Sequence, residues 1–465
     1  MTYSLAFDFG ATSFRGILGW LEQGQFKTKE VLRCEHERVD QDGRSRWQLD
    51  FMLQQISKTI LAYKDDLVSI GVDTWGVDCG LVNAAGKLVA NPVSYRDPRH
   101  QEGFAAAQQK LSLEQIFLST GNQIMPINTL FQLLTLQQDG VLDKAQTVLM
   151  LPDLFNYLLT GNKYRELTIA STSQLIDLRT QELSPTICHA YGLNPELFPA
   201  SIRPGYQVGS TAGSLLPELA GTDIKVIAVP SHDTASAVLM TEAYSDHKTA
   251  FLSCGTWSLI GCLTPAPVIS SEAFACNLTN ETGYNGVNMF FKNITGLYII
   301  EMLKQSLEQK QQRHIDYAEI TAFVEQCDLQ LTVDVDDPLF AQNSFDVMAV
   351  IDKLTGTPLS HELSYFKVIY LSLAKKYKEV LGQIEQILGY RFTKLHMIGG
   401  GVKSKFLCHL IAKELQLPVV AGPDEATAFG NLLTQKLSLH EFSSLDEGRK
   451  VILSSSPISL YNHAN

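Results

Sequence analysis

The chain has 465 residues, 45% of them hydrophobic and 18% charged, with a formal charge of -12. That is the composition of an ordinary globular chain, too long for a single core, so two domains are expected. The acidic balance excludes a general binder of nucleic acid or of an anionic membrane surface, which would need a basic patch, but leaves room for a nucleotide whose phosphates a metal ion screens.

No apolar run reaches the roughly 20 residues of a membrane span. Thr2, Tyr3 and Ser4 give no basic region and Asp8 interrupts the apolar run after them. The N-terminus therefore lacks a secretory pattern, and a cytoplasmic location is expected. The eight cysteines (Cys34, Cys79, Cys188, Cys254, Cys262, Cys276, Cys327 and Cys408) form no C-x-x-C pair. Their scatter suits neither a zinc site nor a small disulfide scaffold, so buried free thiols are expected.

Ser4–Phe9 reads as a strand in which Asp8 is costly unless paired or metal-bound. Gly10-Ala11-Thr12-Ser13 then permits a tight hairpin whose backbone N–H groups and hydroxyls suit phosphate oxygens; the plainer alternative is a hairpin with an edge Asp. Ile17–Leu21 and Val31–Arg33 continue an antiparallel start. Trp47–Tyr63 has helical spacing, and Leu67–Val72 is a strand. After it come two carboxylates around a Trp and a Gly, in Asp73-Thr74-Trp75-Gly76-Val77-Asp78. They suggest a polar-ligand site with an aromatic wall, or else a turn with solvated acids. Ser94–Arg99 is a second polar cluster, with a surface ion pair as its plain reading.

Leu113–Leu134 is helical in two parts, broken around Gly121–Pro126. Val148–Pro152 is a strand, Leu154–Leu159 a short helix, and Thr168–Leu178 a loop or capped turn rich in hydroxyls. Val226–Val229 is a short buried strand that Pro230 ends. Ser231 and Asp233 are residues of the kind that cap a helix, and Thr234–Val238 starts one. Asp233 thus sits where a strand leaves a sheet, the edge where open α/β sheets bind ligands, and a carboxylate there can take a hydroxyl proton. The competing reading is a cap and nothing more.

Ala250–Ser253, the turn Cys254-Gly255-Thr256-Trp257-Ser258 and Leu259–Gly261 repeat the first hairpin, which suggests two related domains each offering a phosphate loop. Asn277–Thr282 and Asn293 precede a helix at Leu297–Leu307. Glu362–Ile387 is a long helix. Leu395–Ile398 is a strand ending in Gly399-Gly400-Gly401, glycines that let the backbone approach a flat ligand. A helix at Lys403–Leu417 and a strand at Val419–Ala421 follow, and Gly422–Gly430 opens a last helix. Ser443–Asn465 reads as a surface tail. Neither G-x-x-x-x-G-K-[ST] nor G-x-G-x-x-G occurs.

Taken in order, DFGATS, DTWGVD, SYRDPR, SHDTASA, LSCGTWSL and the late GGG resemble the FGGY carbohydrate kinases of the actin/hexokinase superfamily, over about Ser4 to Leu432. The resemblance implies an α/β protein of two ribonuclease-H-like domains around a central cleft. It divides the chain into a mainly sugar-binding domain over 1–242, a mainly ATP-binding domain over 243–440 and a tail over 441–465. It implies ATP and Mg²⁺ as cofactors, a small-molecule ketose as partner, and a monomer or homodimer. Nucleic acid and membrane play no part.

By the same resemblance Asp233 is the catalytic base and Asp8 helps to hold Mg²⁺. Gly76, His232, Asp233, Thr234 and Asn293 contact the sugar. Ala11, Thr12, Ser13, Phe14 and Arg15 line the first phosphate loop, Thr256 the second, and Gly400 lies against the adenosine. GVDTWGVD, YRDPR, MPINTLFQL, SHDTASAV, KNITGL and AGPDEATAFGN imply L-rhamnulose, phosphorylated at O1. L-fuculose, D-ribulose and L-xylulose are the alternative ketoses, and a non-catalytic actin-like nucleotide-binding protein is the alternative from another class. Phe14 and Glu301 depart from the family pattern, and Glu301 is left out of the nucleotide site because an inward anion repels phosphates.

Overall fold

A computed structural model describes residues 2–341 and 346–463. Met1, the stretch 342–345 and the last two residues of the expected tail, 464–465, lie outside the described residues. Two compact units are formed, and they interleave along the sequence. Unit 1 comprises 1–240, 264–290 and 426–456, and unit 2 comprises 241–263, 291–425 and 457–465.

Unit 1 begins with β1 (Tyr3–Phe9), β2 (Ser13–Glu22) and β3 (Gln25–Glu35), the antiparallel start that the sequence announces. Helix α1 (Leu49–Tyr63) buries Leu49, Met52, Leu53, Ile56 and Ile60 along one face. Each such side chain contributes about 1.5–3 kcal/mol when fully buried. The next strand, β4 (Leu67–Thr74), runs parallel to β1. Helix α2 (Leu151–Thr160) ends on Gly161 in the left-handed region. Strands β5 (Gln207–Ser210) and β6 (Lys225–Ile227) complete the order β5-β6-β4-β1-β2-β3, and α3 (Asp233–Leu239) leaves the sheet after β6.

Unit 2 is built on β7 (Thr249–Cys254), β8 (Trp257–Thr264), β9 (Asn288–Thr295), β10 (Lys394–Ile398), β11 (Val419–Ala421) and β12 (Ser459–Tyr461). They follow the order β9-β8-β7-β10-β11-β12, and the strand Thr279–Thr282 is the seventh of the sheet, at the edge beside β9, whose first residues, 288–290, belong with it to unit 1. Outward from β7 its pairings repeat those of unit 1. The hairpin partner β8 is antiparallel, two parallel neighbours follow on the other side, and the edge strand is antiparallel. In unit 1 the same series is β2, then β4 and β6, then β5. The helices of unit 2 include α4 (Tyr298–Gln311), α5 (Ser364–Leu388) and α6 (Lys405–Leu415).

The chain then returns to unit 1 with α7 (Ala426–Ser438) and α8 (Leu445–Ser454). Helix α7 packs so close to α3 that a Cβ on Gly430 would lie 1.9 Å from the Ser236 carbonyl oxygen. Only glycine fits there. Residues 443–463, which the sequence suggests to be a surface tail, instead form α8, with Ile452 fully buried, and the edge strand β12. The polar and serine-rich composition masks these elements, because α8 buries Gly448 and Arg449 beside Ile452, and neither gives an apolar signal. Among the described residues no helix is long and apolar enough to cross a membrane. None of the eight cysteines is in a disulfide, and five of them are buried.

Candidate active site

The carboxyl ends of β1, β4 and β6 build the site of unit 1. Asp8 and Asp73 are register partners on the parallel strands β1 and β4. The loop after β6 is tied to β4: Thr74 N donates to Ser231 O at 2.9 Å, and Thr74 bridges to His232. Three carboxylates, Asp8, Asp73 and Asp233, therefore share one end of the sheet. Asp73 is fully buried; burial and the Asp8 charge push its pKa well up. Its Oδ2 accepts from Asn431 Nδ2 on α7 at 2.5 Å, and its Oδ1 is a buried oxygen with no hydrogen-bond partner. Asp8 is nearly buried and pairs with Arg15 Nη2 at 2.5 Å.

Asp233 is the first residue of α3, and the N-cap is His232. Ser231 Oγ donates to Val229 O, so neither residue expected to cap the helix occupies the cap position. Thr234 N and Thr234 Oγ1 donate to Asp233 Oδ1 at 2.6 and 3.3 Å, and His232 Nε2 lies 3.4 Å from the same oxygen. The side chain keeps 26% of its surface exposed, enough for a small hydroxyl to reach it. Displacement of water by the surrounding protein, with the charge of Asp8 adding to it against His232, raises its pKa to about 6. An acid with that pKa is mostly ionised at neutral pH yet basic enough to accept a proton.

The loop beneath Asp233 is held by a residue the sequence does not announce. Glu166 is fully buried, and its Oε2 accepts from Ser231 N (3.1 Å) and Thr168 Oγ1 (2.5 Å). Thr168 Oγ1 in turn accepts from His232 N at 3.3 Å. Burial pushes the Glu166 pKa to about 7. This explains the hydroxyl-rich stretch after it: Glu166 caps the short helix Leu167–Ala170, and Thr168, Ser171, Thr172 and Ser173 are all buried rather than solvated. A run of small polar residues gives no sign of burial by itself. The only clue is Glu166 just ahead of them, since the helix dipole favours a negative side chain at a helix N-terminus.

The turn after β4 is rigid. Gly76 packs against Thr172, and Val77 stands at φ +69, a strained position for a β-branched residue. Thr172 Oγ1 accepts from Val77 N (3.0 Å), and Thr129 Oγ1 donates to Val77 O (2.6 Å). Asp78 is not solvated: its Oδ2 accepts from both indoles, Trp47 Nε1 (2.6 Å) and Trp75 Nε1 (2.9 Å). It is scaffolding under the aromatic wall. Asp97 of the second polar cluster is also buried, accepting from Ser45 N at 2.8 Å beside Arg44, so the surface ion-pair reading fails at Asp97 but holds at Arg99, which pairs with Glu102 and Asp139.

Of the first-loop residues, Ala11, Thr12 and Ser13 are accessible. The Phe14 side chain is fully buried and stacked on Phe9 with ring centroids 4.7 Å apart, so a ligand could reach only its backbone. His36, which sequence reading misses, braces the loop through Nε2 and Gly10 O at 2.8 Å. Burial lowers its pKa to about 4, so it is neutral and offers an N–H to the carbonyl.

Unit 2 holds Thr256, Asn293 and Gly400. The loop of Thr256 is braced by backbone hydrogen bonds, and Ser258 at its end shares a 2.6 Å hydrogen bond with the Tyr377 hydroxyl. Leu297 N donates to Gly255 O (2.9 Å) and Tyr298 N to Thr256 O (3.2 Å), while a Cβ on Gly296 would lie 2.6 Å from Trp257 C. Asn293 lies on β9. In the glycine run, a Cβ on Gly401 would lie 2.4 Å from Cys254 Sγ and one on Gly399 3.0 Å from Cys254 O, whereas one on Gly400 would meet nothing within 4 Å. Two of the three glycines are packing requirements, and Gly400 is the exposed one. Glu301 accepts a hydrogen bond from the Tyr317 hydroxyl.

Among the described residues no group of three or more His, Cys, Asp or Glu could cage a metal ion. Mg²⁺ needs no cage. It binds through one or two carboxylates, with phosphate oxygens and water completing the shell. Asp8, together with the unpartnered buried oxygen of Asp73, fits an ion of that kind arriving with a nucleotide.

The chain matches the FGGY family of carbohydrate kinases, with its N-terminal domain over residues 3–240 and its C-terminal domain over 250–439. It is 35% identical to a rhamnulokinase from Bacteroides thetaiotaomicron, covering 98% of this chain and 95% of the relative. It is 34% identical to a rhamnulokinase from Halalkalibacterium halodurans over the full length of both. Among solved structures it resembles xylulose kinase from Lactobacillus acidophilus, with a TM-score of 0.80 at 14% identity, covering 99% of this chain and 94% of the other. Plasmodium falciparum glycerol kinase with ADP gives a TM-score of 0.80 at 16% identity with the same coverage. The expected fold, an α/β protein with two sheet-containing domains, is the fold of these kinases. The chain belongs to the FGGY family of carbohydrate kinases.

Proposed function

We propose that this kinase transfers the γ-phosphoryl group of ATP to O1 of L-rhamnulose, with Asp233 as the base. The observation that carries the reading is the partly exposed Asp233 carboxylate at the end of β6, its Oδ1 held by Thr234 and faced by His232, in a chain with rhamnulokinase relatives along its whole length. With Oδ1 committed, Oδ2 is the oxygen left to receive the hydroxyl proton. The sugar O1–H bond gives its proton to Asp233, a new O–P bond forms at the γ-phosphorus, and the bridging P–O bond breaks to release ADP. Phosphoryl transfer asks the protein chiefly for alignment and charge neutralisation.

Gly76, His232, Thr234 and Asn293 would orient the ketose. The backbone and hydroxyls of Ala11, Thr12, Ser13 and Thr256, with the Phe14 backbone and the Arg15 guanidinium, would meet the phosphates, and Gly400 would lie against the adenosine. Asp8, with Asp73 beside it, would hold Mg²⁺, which neutralises phosphate charge when bound. The protein is expected to act in the cytoplasm as a monomer or homodimer.

The test is coupled ADP release over a ketose panel with L-rhamnulose, L-fuculose, D-ribulose and L-xylulose. The highest kcat/KM is expected with L-rhamnulose. A higher value with another ketose would overturn the substrate, and ATP hydrolysis indifferent to every sugar would overturn the reading as a kinase.

A further inference from the structure

The segment 264–290 belongs to unit 1 although its sequence lies between strands of unit 2. It carries Glu281 in the strand Thr279–Thr282. This strand is pinned within unit 1. Asn122 Nδ2 donates to Asn280 O (3.0 Å), Asn280 Nδ2 to Gly121 O (3.0 Å), and Thr282 N to Ser171 Oγ (2.9 Å). Glu281 is only 4% exposed, and its Oε2 lies 2.9 Å from His232 Nδ1, a charge-to-charge contact in which neither atom makes an aligned hydrogen bond. The other ring nitrogen, Nε2, lies 3.4 Å from Asp233 Oδ1. One imidazole therefore spans two carboxylates. A neutral imidazole has a proton for one of them; only the imidazolium has a proton for each.

We propose that Glu281 is a positioning residue for the base: its negative charge beside Nδ1 keeps His232 an imidazolium whose Nε2–H faces Asp233. This rests on the reading of Asp233 as the base. The charged neighbours support it. Around His232 stand Glu281, Asp233 and the Glu166 below the loop, all acidic, and together they raise its pKa despite its burial. Asp233 feels Asp8, which raises its pKa, and His232, which lowers it; Asp73, paired with Asn431, and Arg15, paired with Asp8, stand beside this group. Loss of the Glu281 charge would release the second imidazole proton. Asp233 would then keep its acidic neighbours without the cation that holds it ionised.

The experiment compares Glu281→Gln and Glu281→Asp with the unmodified protein in kcat/KM against pH, with Asp233→Asn in parallel. Glu281→Gln should move the acid limb upward by about one pH unit, the low end for losing a close charge partner. Activity should then be about tenfold lower below the limb and converge with the parent at high pH. Glu281→Asp should bring the limb back toward the parent position. A limb at the parental pH in Glu281→Gln, with or without a uniform loss, overturns the proposal, because a merely structural role lowers all pH values alike. Imidazole 15N shifts of His232 in the unmodified protein give a readout that needs no variant to fold: both nitrogens are expected protonated at pH 7, and a single protonated nitrogen overturns the proposal. If Asp233→Asn retains its turnover, the base reading itself falls; if Asp233→Asn is inactive while Glu281→Gln keeps the parental limb, only the role of Glu281 falls.

Discussion

The loops 10–13 and 255–257 close equivalent hairpins in the two units, the second one residue shorter. They are braced by different chemistry. The first stands among charges: Asp8 paired to Arg15, Asp73 across the strand, and His36 on the Gly10 carbonyl. The second stands among glycines, backbone and one neutral hydroxyl, with Gly296, Gly399 and Gly401 packed against it or against Cys254 at its base and Tyr377 bonded to Ser258 at its end. One sheet design therefore serves two tasks. Unit 1 spends side chains on charge, whereas unit 2 presents a close-packed backbone surface; under the proposed function the first would handle the proton and the second the nucleotide. Brittleness should differ accordingly, with unit 1 sensitive in turnover and unit 2 in packing and nucleotide affinity.

The largest effect should come from unit 1. Asp233→Ala is expected to fold and melt like the parent, because the side chain is partly exposed and packs against no apolar core, but to lose at least about a hundredfold in kcat, the low end for a positioned base. Near-parental turnover would remove the division between the units. A pH effect comes next. Asp233 must be ionised to accept a proton, and its pKa is about 6. Hence kcat/KM should be level above that pH and fall about tenfold per unit below it. A profile flat to pH 5 would contradict the assignment.

The smallest effects sharpen the comparison inside unit 2. Gly401→Ala places a Cβ 2.4 Å from Cys254 Sγ and should cost about 1–3 kcal/mol in unfolding free energy, as overpacking does. Gly400→Ala meets nothing within 4 Å and should change stability by less than about 0.5 kcal/mol while raising KM for ATP. Thermal melts with ATP titrations measure both. Equal destabilisation by the two would show that Gly400 is also a packing residue.

What the sequence determined by itself were the elements with strong local signals and the motifs at their ends. The apolar runs of β1, β7 and β10, the repeated hairpin, and the strand-to-helix step that carries Asp233 all follow from period, Pro and Gly placement, which act within a few residues. Only the tertiary structure decided which polar residues were buried and what they met. Glu166 under the Asp233 loop, Glu281 on His232, Asn431 on Asp73 and the two indoles on Asp78 are partners far apart in sequence. It also decided that α7 and α8 return to unit 1 and that the serine-rich end carries α8 and β12. The physical reason is that a buried polar group is stabilised by a specific donor or acceptor brought to it by folding, and composition or spacing along the chain does not encode where that partner comes from.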